Sequence, residues 1–359
     1  MAAKAYNIQF YLGVLLLLSI VVGCQSEPLI VLEHLKLPQL YVANATSPSP
    51  VIDGAVDPEV WDKAQWSHAF IDIEEVEKPK YNTRFKMLWD AENLYILAQL
   101  DDPHIWGNLK QRDTVVFYNN DFEVFIDPDG DTHNYMELEV NALNTVWDLF
   151  LQRPYRNKVR ADNSWDIAGL QTAVTYQGTL NNPTDTDLHW VVEMALPWKS
   201  LARGNTNGNL PVNRFWRMNF SRVHWEFEVI NGRYQRKKDP AGKFLSEYNW
   251  VWSPQGVINM HEPEHWGYVY FSDGSTANEA ISLPDDAPLL QWMYSEYTKK
   301  LSLTKQNKAV LNSSIAQWQG KMITLKKETI NDTLYWTTQH PFIASTYKIR
   351  HDGKLFIKP

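Results

Sequence analysis

The chain has 359 residues, 44% of them hydrophobic and 21% charged, enough for about two domains with real cores and unlike long disorder, collagen or a coiled coil. One cysteine excludes a disulfide framework and a Cys-based zinc cluster, and a net charge of −8 argues against a general nucleic-acid binder, which should be basic. The unusual number is 16 Trp, beside 17 Tyr and 14 Phe: a core absorbs many of these, but surplus Trp is also what flat apolar ligands, above all sugar rings, stack against.

Lys4 precedes an apolar run from Phe10 to Val22. Its length suits a signal-peptide core and is too short for a membrane-spanning helix. The run ends at Val21-Val22-Gly23-Cys24, which resembles the bacterial lipobox. Residues 1–23 are therefore expected to be a lipoprotein signal peptide, with Cys24 lipidated as the first mature residue. An ordinary signal peptide with an incidental Cys is the alternative. Residues 24–50, with Pro28, Pro38, Pro48 and Pro50, read as a tether.

Residues 51–272 read as β. Asp57 before Pro58 predicts a short helix over 58–63. Thr83, Phe85, Met87 and Trp89 recur at every second position, and after the turn at 90–93 Leu94, Ile96, Ala98 and Leu100 do so again. That pattern is a hairpin with one buried face. Further strand runs are predicted at 122–126, 135–140, 145–151, 168–176, 189–196, 215–223, 249–252 and 268–271. Turn signals such as Pro128-Asp129-Gly130 and Asn231-Gly232 separate them. The expected fold is mainly β, an antiparallel β-sandwich. Residues 299–359 carry 11 Lys and Arg against 3 Asp and Glu, net +8, which leaves −16 for the rest. This asymmetry and the punctuation at 272–286 predict a second unit over 286–359. It reads as a helix over about 288–311, with Leu289, Met293 and Tyr297 spaced by four, followed by short strands. No chemistry is apparent in it.

Three stretches together resemble the family-9-like carbohydrate-binding modules: Val51-Ile52-Asp53-Gly54 running to Trp61; Asn120-Asp121-Phe122-Glu123-Val124-Phe125-Ile126-Asp127 with Tyr135-Met136-Glu137-Leu138-Glu139-Val140-Asn141; and Trp252-Ser253-Pro254 with Met260 to Gly267. The resemblance implies a β-sandwich that holds sugars between aromatic side chains and a few carboxylates and amides, in the company of polysaccharide-degrading enzymes. It places Glu123 on a sugar-contacting acid, Phe117 or Tyr118 on one stacking ring and Asn141 beside the ligand. Two positions depart from it: Glu139 stands where an Arg is expected, and Met260 falls near the second stacking Trp. Trp106, Trp225 or Trp252 would then substitute, or the ligand differs. His261 is grouped with the same site. Trp147, Trp190, Trp61, Trp66 and Trp89 read as core.

The expected function is non-catalytic binding of a poly- or oligosaccharide, neutral or cationic given the acidic balance. The C-terminal unit would be a spacer or a docking surface for an enzyme partner. Asp127, Asp129 and Asp131 around Gly130, with Glu137, resemble part of a calcium loop. The plainer reading is a turn whose Asp residues bond their own backbone. Glu123 with Glu137 or Glu139 is also a candidate glycosidase pair, and Met260-His261 a candidate haem contact, though no Cys-x-x-Cys-His exists.

Overall fold

The computed structural model describes residues 29–204 and 209–359. The expected signal peptide and Cys24 lie outside them. In chain order the strands are β1 (Ile30–Val31), β2 (Leu40–Ala45), β3 (Ile71–Asp72), β4 (Thr83–Trp89), β5 (Asn93–Asp101), β6 (Asp121–Asp127), β7 (Tyr135–Asn141), β8 (Val146–Leu151), β9 (Gln171–Gln177) and β10 (His189–Pro197). They continue as β11 (Phe215–His224), β12 (Phe227–Ile230), β13 (Arg233–Arg236), β14 (Tyr248–Val251), β15 (Gly267–Ser272), β16 (Ser313–Trp318), β17 (Lys321–Ile330), β18 (Thr333–Gln339), β19 (Thr346–Arg350) and β20 (Leu355–Lys358). Two α-helices, α1 (Pro58–Trp61) and α2 (Ala287–Lys305), complete the main elements. No helix among the described residues is long and apolar enough to cross a membrane.

One continuous sheet runs β8-β7-β6-β11-β15-β2-β4-β5-β10-β9, with β14 paired to β11 and β3 to β14. It curls so that its two halves face each other as a sandwich. Alternation decides which side chains go between the layers: Phe122, Val124 and Ile126 of β6 and Met218 and Phe220 of β11 meet Phe85, Met87, Ile96, Val192 and Met194 of the other half. Phe85 stacks on Phe220 with ring centroids 3.8 Å apart.

The pairing within this sheet is antiparallel except at β2, which runs parallel to β15 and to β4. That strand lies in the stretch expected to be a tether, and it buries Tyr41 and Ala43. The Pro residues there punctuate the chain without loosening it. The predicted short helix forms as α1. The Asp57 carboxylate accepts the Glu59 N–H at 2.9 Å, and Pro58 opens the first turn. Trp61 Nε1–H and the Gly54 N–H both donate to Glu193 at 2.9 Å, fixing α1 to the outer face of β10.

The C-terminal unit is a six-stranded sheet, β1-β16-β17-β18-β19-β20, under α2. Leu289, Trp292, Met293 and Tyr297 pack on Leu325, Trp336 and Ile349. Its first strand, β1, comes from before the sandwich, and β16 was not anticipated. The unit docks on the sandwich. The Leu355 N–H donates to the Asp131 carbonyl at 3.1 Å, the Thr132 hydroxyl to the Gly353 carbonyl at 3.0 Å, and Lys354 pairs with Asp131 at 2.7 Å.

Candidate functional site

β6, β7, β8 and β11 turn one face to the core and the other outward. The ladder aligns that outer face in rungs: Trp147, Glu139, Glu123 and Ser221 on one; Leu149, Glu137 and Phe125 on the next; Asn141, Asp121 and Val223 on the rung at the other side. The sequence alternation Phe122-Glu123-Val124-Phe125 therefore sends Glu123 to the outer face for the same reason that it sends Phe122 inward. Above this face lies a cleft of about 240 Å³. Glu123, Glu137 and Glu139 form its floor, and Phe117, Trp147, Tyr155 and His261 form its walls, with Glu247, Asn249 and Asn259 at its margin.

The floor is electrostatically unusual. Glu123 and Glu139 are directly opposed on paired strands, an arrangement that repels when both are ionised. Glu123, Glu137, Glu139 and the neighbouring Asp121 are all buried. Burial pushes the Glu123 carboxyl up to about 7. Burial first, and then mutual repulsion, hold Asp121, Glu137 and Glu139 far above the usual carboxylate range. Glu139 accepts the Phe117 N–H at 2.9 Å, which fixes the loop carrying Phe117 to the floor.

His261 stands on the opposite wall. Its Nδ1 is 3.0 Å from the Tyr135 hydroxyl and its Nε2 is 3.8 Å from a Glu137 oxygen. Burial lowers its pKa to about 3, so the ring is neutral. Nδ1 is thus at hydrogen-bond distance from a protein group, whereas Nε2 faces Glu137 beyond that distance. Tyr155 packs edge-on against the imidazole at 4.3 Å and is itself exposed at the rim.

The sequence-predicted residues divide accordingly. Phe117, Glu123, Glu139 and His261 meet in the cleft. Tyr118 is exposed next to Phe117, beneath the Arg236 guanidinium. Three expected contacts are not brought there. Trp106 is buried and stacked on Tyr234 at 6.2 Å, because the β12–β13 hairpin covers it. Trp252 packs edge-on against the stacked Phe85 and Phe220 rings in the core. Asn141 spends its side chain on a turn: Oδ1 accepts the Leu143 and Thr145 N–H groups, and Nδ2 donates to the Leu109 carbonyl. Trp147, read as core, instead lines the cleft. It sits in β8, whose strand periodicity fixes its face but not whether that face is covered.

The expected calcium set also divides. Asp127, Asp129 and Asp131 bring carboxylate oxygens within 4.8 Å of one another, but Glu137 is in the cleft instead. Asp127 accepts the Gly130 and Thr132 N–H groups at 3.1 and 2.8 Å, Asp131 accepts the His133 N–H at 2.8 Å, and the Lys354 ammonium already neutralises Asp131. This donor set fits a self-bonded turn docked to the C-terminal unit better than it fits a cation.

A curled β-sandwich with an acidic, aromatic-walled cleft on one sheet face is the class of protein that these elements define. Residues 52–214 match the family model described as Carbohydrate family 9 binding domain-like. Among curated proteins the chain is similar to Exoglucanase XynX of Acetivibrio thermocellus, 26% identical over 162 residues, and to Endo-1,4-beta-xylanase A of Thermotoga neapolitana, 27% identical over 168 residues. These matches cover 45% and 46% of this chain but only 12% and 14% of those proteins. Among solved structures it is similar to a carbohydrate binding module family 9 from Caldicellulosiruptor kristjanssonii in complex with cellotriose, with 18% identity and a TM-score of 0.40, covering 69% of this chain and all of that one.

Proposed function

We propose that the sandwich binds an oligo- or polysaccharide non-catalytically in the cleft floored by Glu123, Glu137 and Glu139. The observation that carries this reading is the union of flat side chains, Trp147, Phe117 and Tyr155, with several carboxyl groups in one cleft. The rings offer surface to the C–H faces of a sugar, and the carboxyl groups bond its hydroxyls. The family match supports the class of ligand. The xylanase and exoglucanase relatives, matched over this region, favour a β-linked plant polysaccharide such as xylan or glucan. Affinity should be modest, on the order of micromolar to millimolar, because a sugar exchanges water hydrogen bonds for protein ones.

The same proposal places the protein at a bacterial envelope, anchored by lipid on Cys24 and serving polysaccharide-degrading enzymes. The apolar run ending at Val21-Val22-Gly23-Cys24 supports it. Cys24→Ala should abolish lipid labelling and membrane fractionation, and unchanged labelling would remove the anchor from the account. A glycan array tests the binding itself. Retention of xylan- or glucan-derived oligosaccharides is expected. Release of reducing sugar from those glycans, stopped by Glu123→Gln, would instead establish a hydrolase.

A further inference from the structure

Asp121, Glu123 and Glu139 come from the paired strands β6 and β7, and one carboxylate oxygen of each lies within 4.8 Å of the others. A calcium ion binds oxygen at about 2.3–2.6 Å, so two oxygens on one ion are at most about 5 Å apart; the three groups stand within that reach. Asp121 is 0% and Glu123 4% exposed. Among the described residues nothing donates a hydrogen bond to Asp121 Oδ2 or Glu123 Oε2. Buried polar atoms are almost always satisfied, and an orphaned carboxylate oxygen is costly. The nearby Arg222 attracts Asp121 electrostatically but makes its hydrogen bonds elsewhere. Arg222, behind Asp121, gives its guanidinium to Asp102 at 2.9 Å, the Asp101 carbonyl at 2.7 Å and the Thr83 hydroxyl at 3.2 Å. The contacts the trio does make are few: Glu139 accepts the Phe117 N–H on Oε2, Asp121 accepts the Val223 N–H on Oδ1 at 3.4 Å, and the Ser221 hydroxyl opposite Glu123 bonds its carboxylate.

We infer that Asp121, Glu123 and Glu139 hold a hard divalent cation, calcium by its oxygen donors, at the floor of the cleft. The ion is reached from the cleft because Glu123 and Glu139 line it, while Asp121, one rung along the same face, is fully buried. Three carboxylates leave coordination positions on the cleft side, where hydroxyl oxygens of a saccharide can complete the shell. That last step rests on the carbohydrate reading; the cation site itself does not. This site is separate from the Asp127 turn, whose charge Lys354 offsets.

The test uses the full chain stripped with EDTA. Calcium is added in a calorimeter, and terbium is followed by luminescence excited through tryptophan, since Trp147 stands beside Glu139 on the same rung. One saturable site is expected, with terbium displaced by calcium. Asp121→Asn and Glu139→Gln, which keep side-chain shape and relieve repulsion, should weaken binding at least about tenfold, while Asp127→Asn leaves it unchanged. As a control on folding, calcium should raise the Tm of the wild type but not of the two variants. No saturable binding, or binding lost with Asp127→Asn and kept by Asp121→Asn and Glu139→Gln, overturns the inference. Oligosaccharide affinity is then measured in calcium and in EDTA. Equal affinity in both would separate the ion from the sugar and leave saccharide binding standing. Calcium at this site with no glycan bound under any condition would instead sink the carbohydrate reading and keep the cation site.

Discussion

Trp252 separates a stacking surface from a core. In the sequence it stands at a strand end, a natural place for an exposed ring, yet it is 2% exposed. Its indole meets Phe85 at 5.4 Å, Phe220 at 5.8 Å and Tyr41 at 6.5 Å, each edge-on. Its neighbour Val251 faces the cleft side of the sheet, so Trp252 itself points between the layers. Trp252→Ala removes a fully buried indole and three aromatic contacts, which costs about 3–5 kcal/mol. For a domain of this size, at roughly 2–4 °C per kcal/mol, Tm should fall by about 6–20 °C. Differential scanning calorimetry reads the Tm, and titration with an oligosaccharide well below it reads binding. Binding should survive in the fraction that is folded. An unchanged Tm with binding lost would mean that Trp252 meets ligand and that the layer assignment is wrong.

Gly267 explains why Trp252 fits. A Cβ there would fall 2.2 Å from Trp252 Cζ3, so Gly267→Ala should lower stability by roughly 1–3 kcal/mol through overpacking, measured by the urea midpoint. Acid should loosen the C-terminal unit. Burial pushes the Asp352 carboxyl up, but hydrogen bonds from His133 and Arg350 outweigh it and hold the group well below the usual carboxylate range. A depressed carboxyl contributes stability above its unfolded pKa of about 3.9 and loses it as pH falls below that value. Limited proteolysis of the C-terminal unit should therefore accelerate below about pH 4, and Asp352→Asn should be equally susceptible at pH 7. A pH-independent cleavage rate in the wild type would contradict this.

Much of the sandwich was legible because period-two alternation is local. The hairpin of β4 and β5, the β6–β7 pair and β10 and β11 all follow directly from it. The acids Glu123, Glu137 and Glu139 were also legible as a group on one face, since residues two apart share a face. What alternation cannot report is what lies over that face. The β12–β13 hairpin buries Trp106, the segment through Ile258 and His261 roofs the cleft, and Trp147 is left half-open at the wall. β2 was read as tether because its surroundings are rich in Pro, yet its parallel partners, β15 and β4, lie far along the chain. Asp121 stood just outside the predicted strand and had no role in the sequence reading, and only the register beside Glu123 and Glu139 gives it one.

The central claim is that the acidic, aromatic-walled cleft is the carbohydrate site. Isothermal titration of xylo- and cello-oligosaccharides into the wild type, Trp147→Ala and Glu137→Gln tests it most directly, with calcium present. The wild type should bind at least one series in the micromolar to millimolar range, and both variants, folded by circular dichroism, should bind at least about tenfold more weakly. Binding that is unaltered in both variants, or absent in the wild type for every oligosaccharide tried, would contradict the claim.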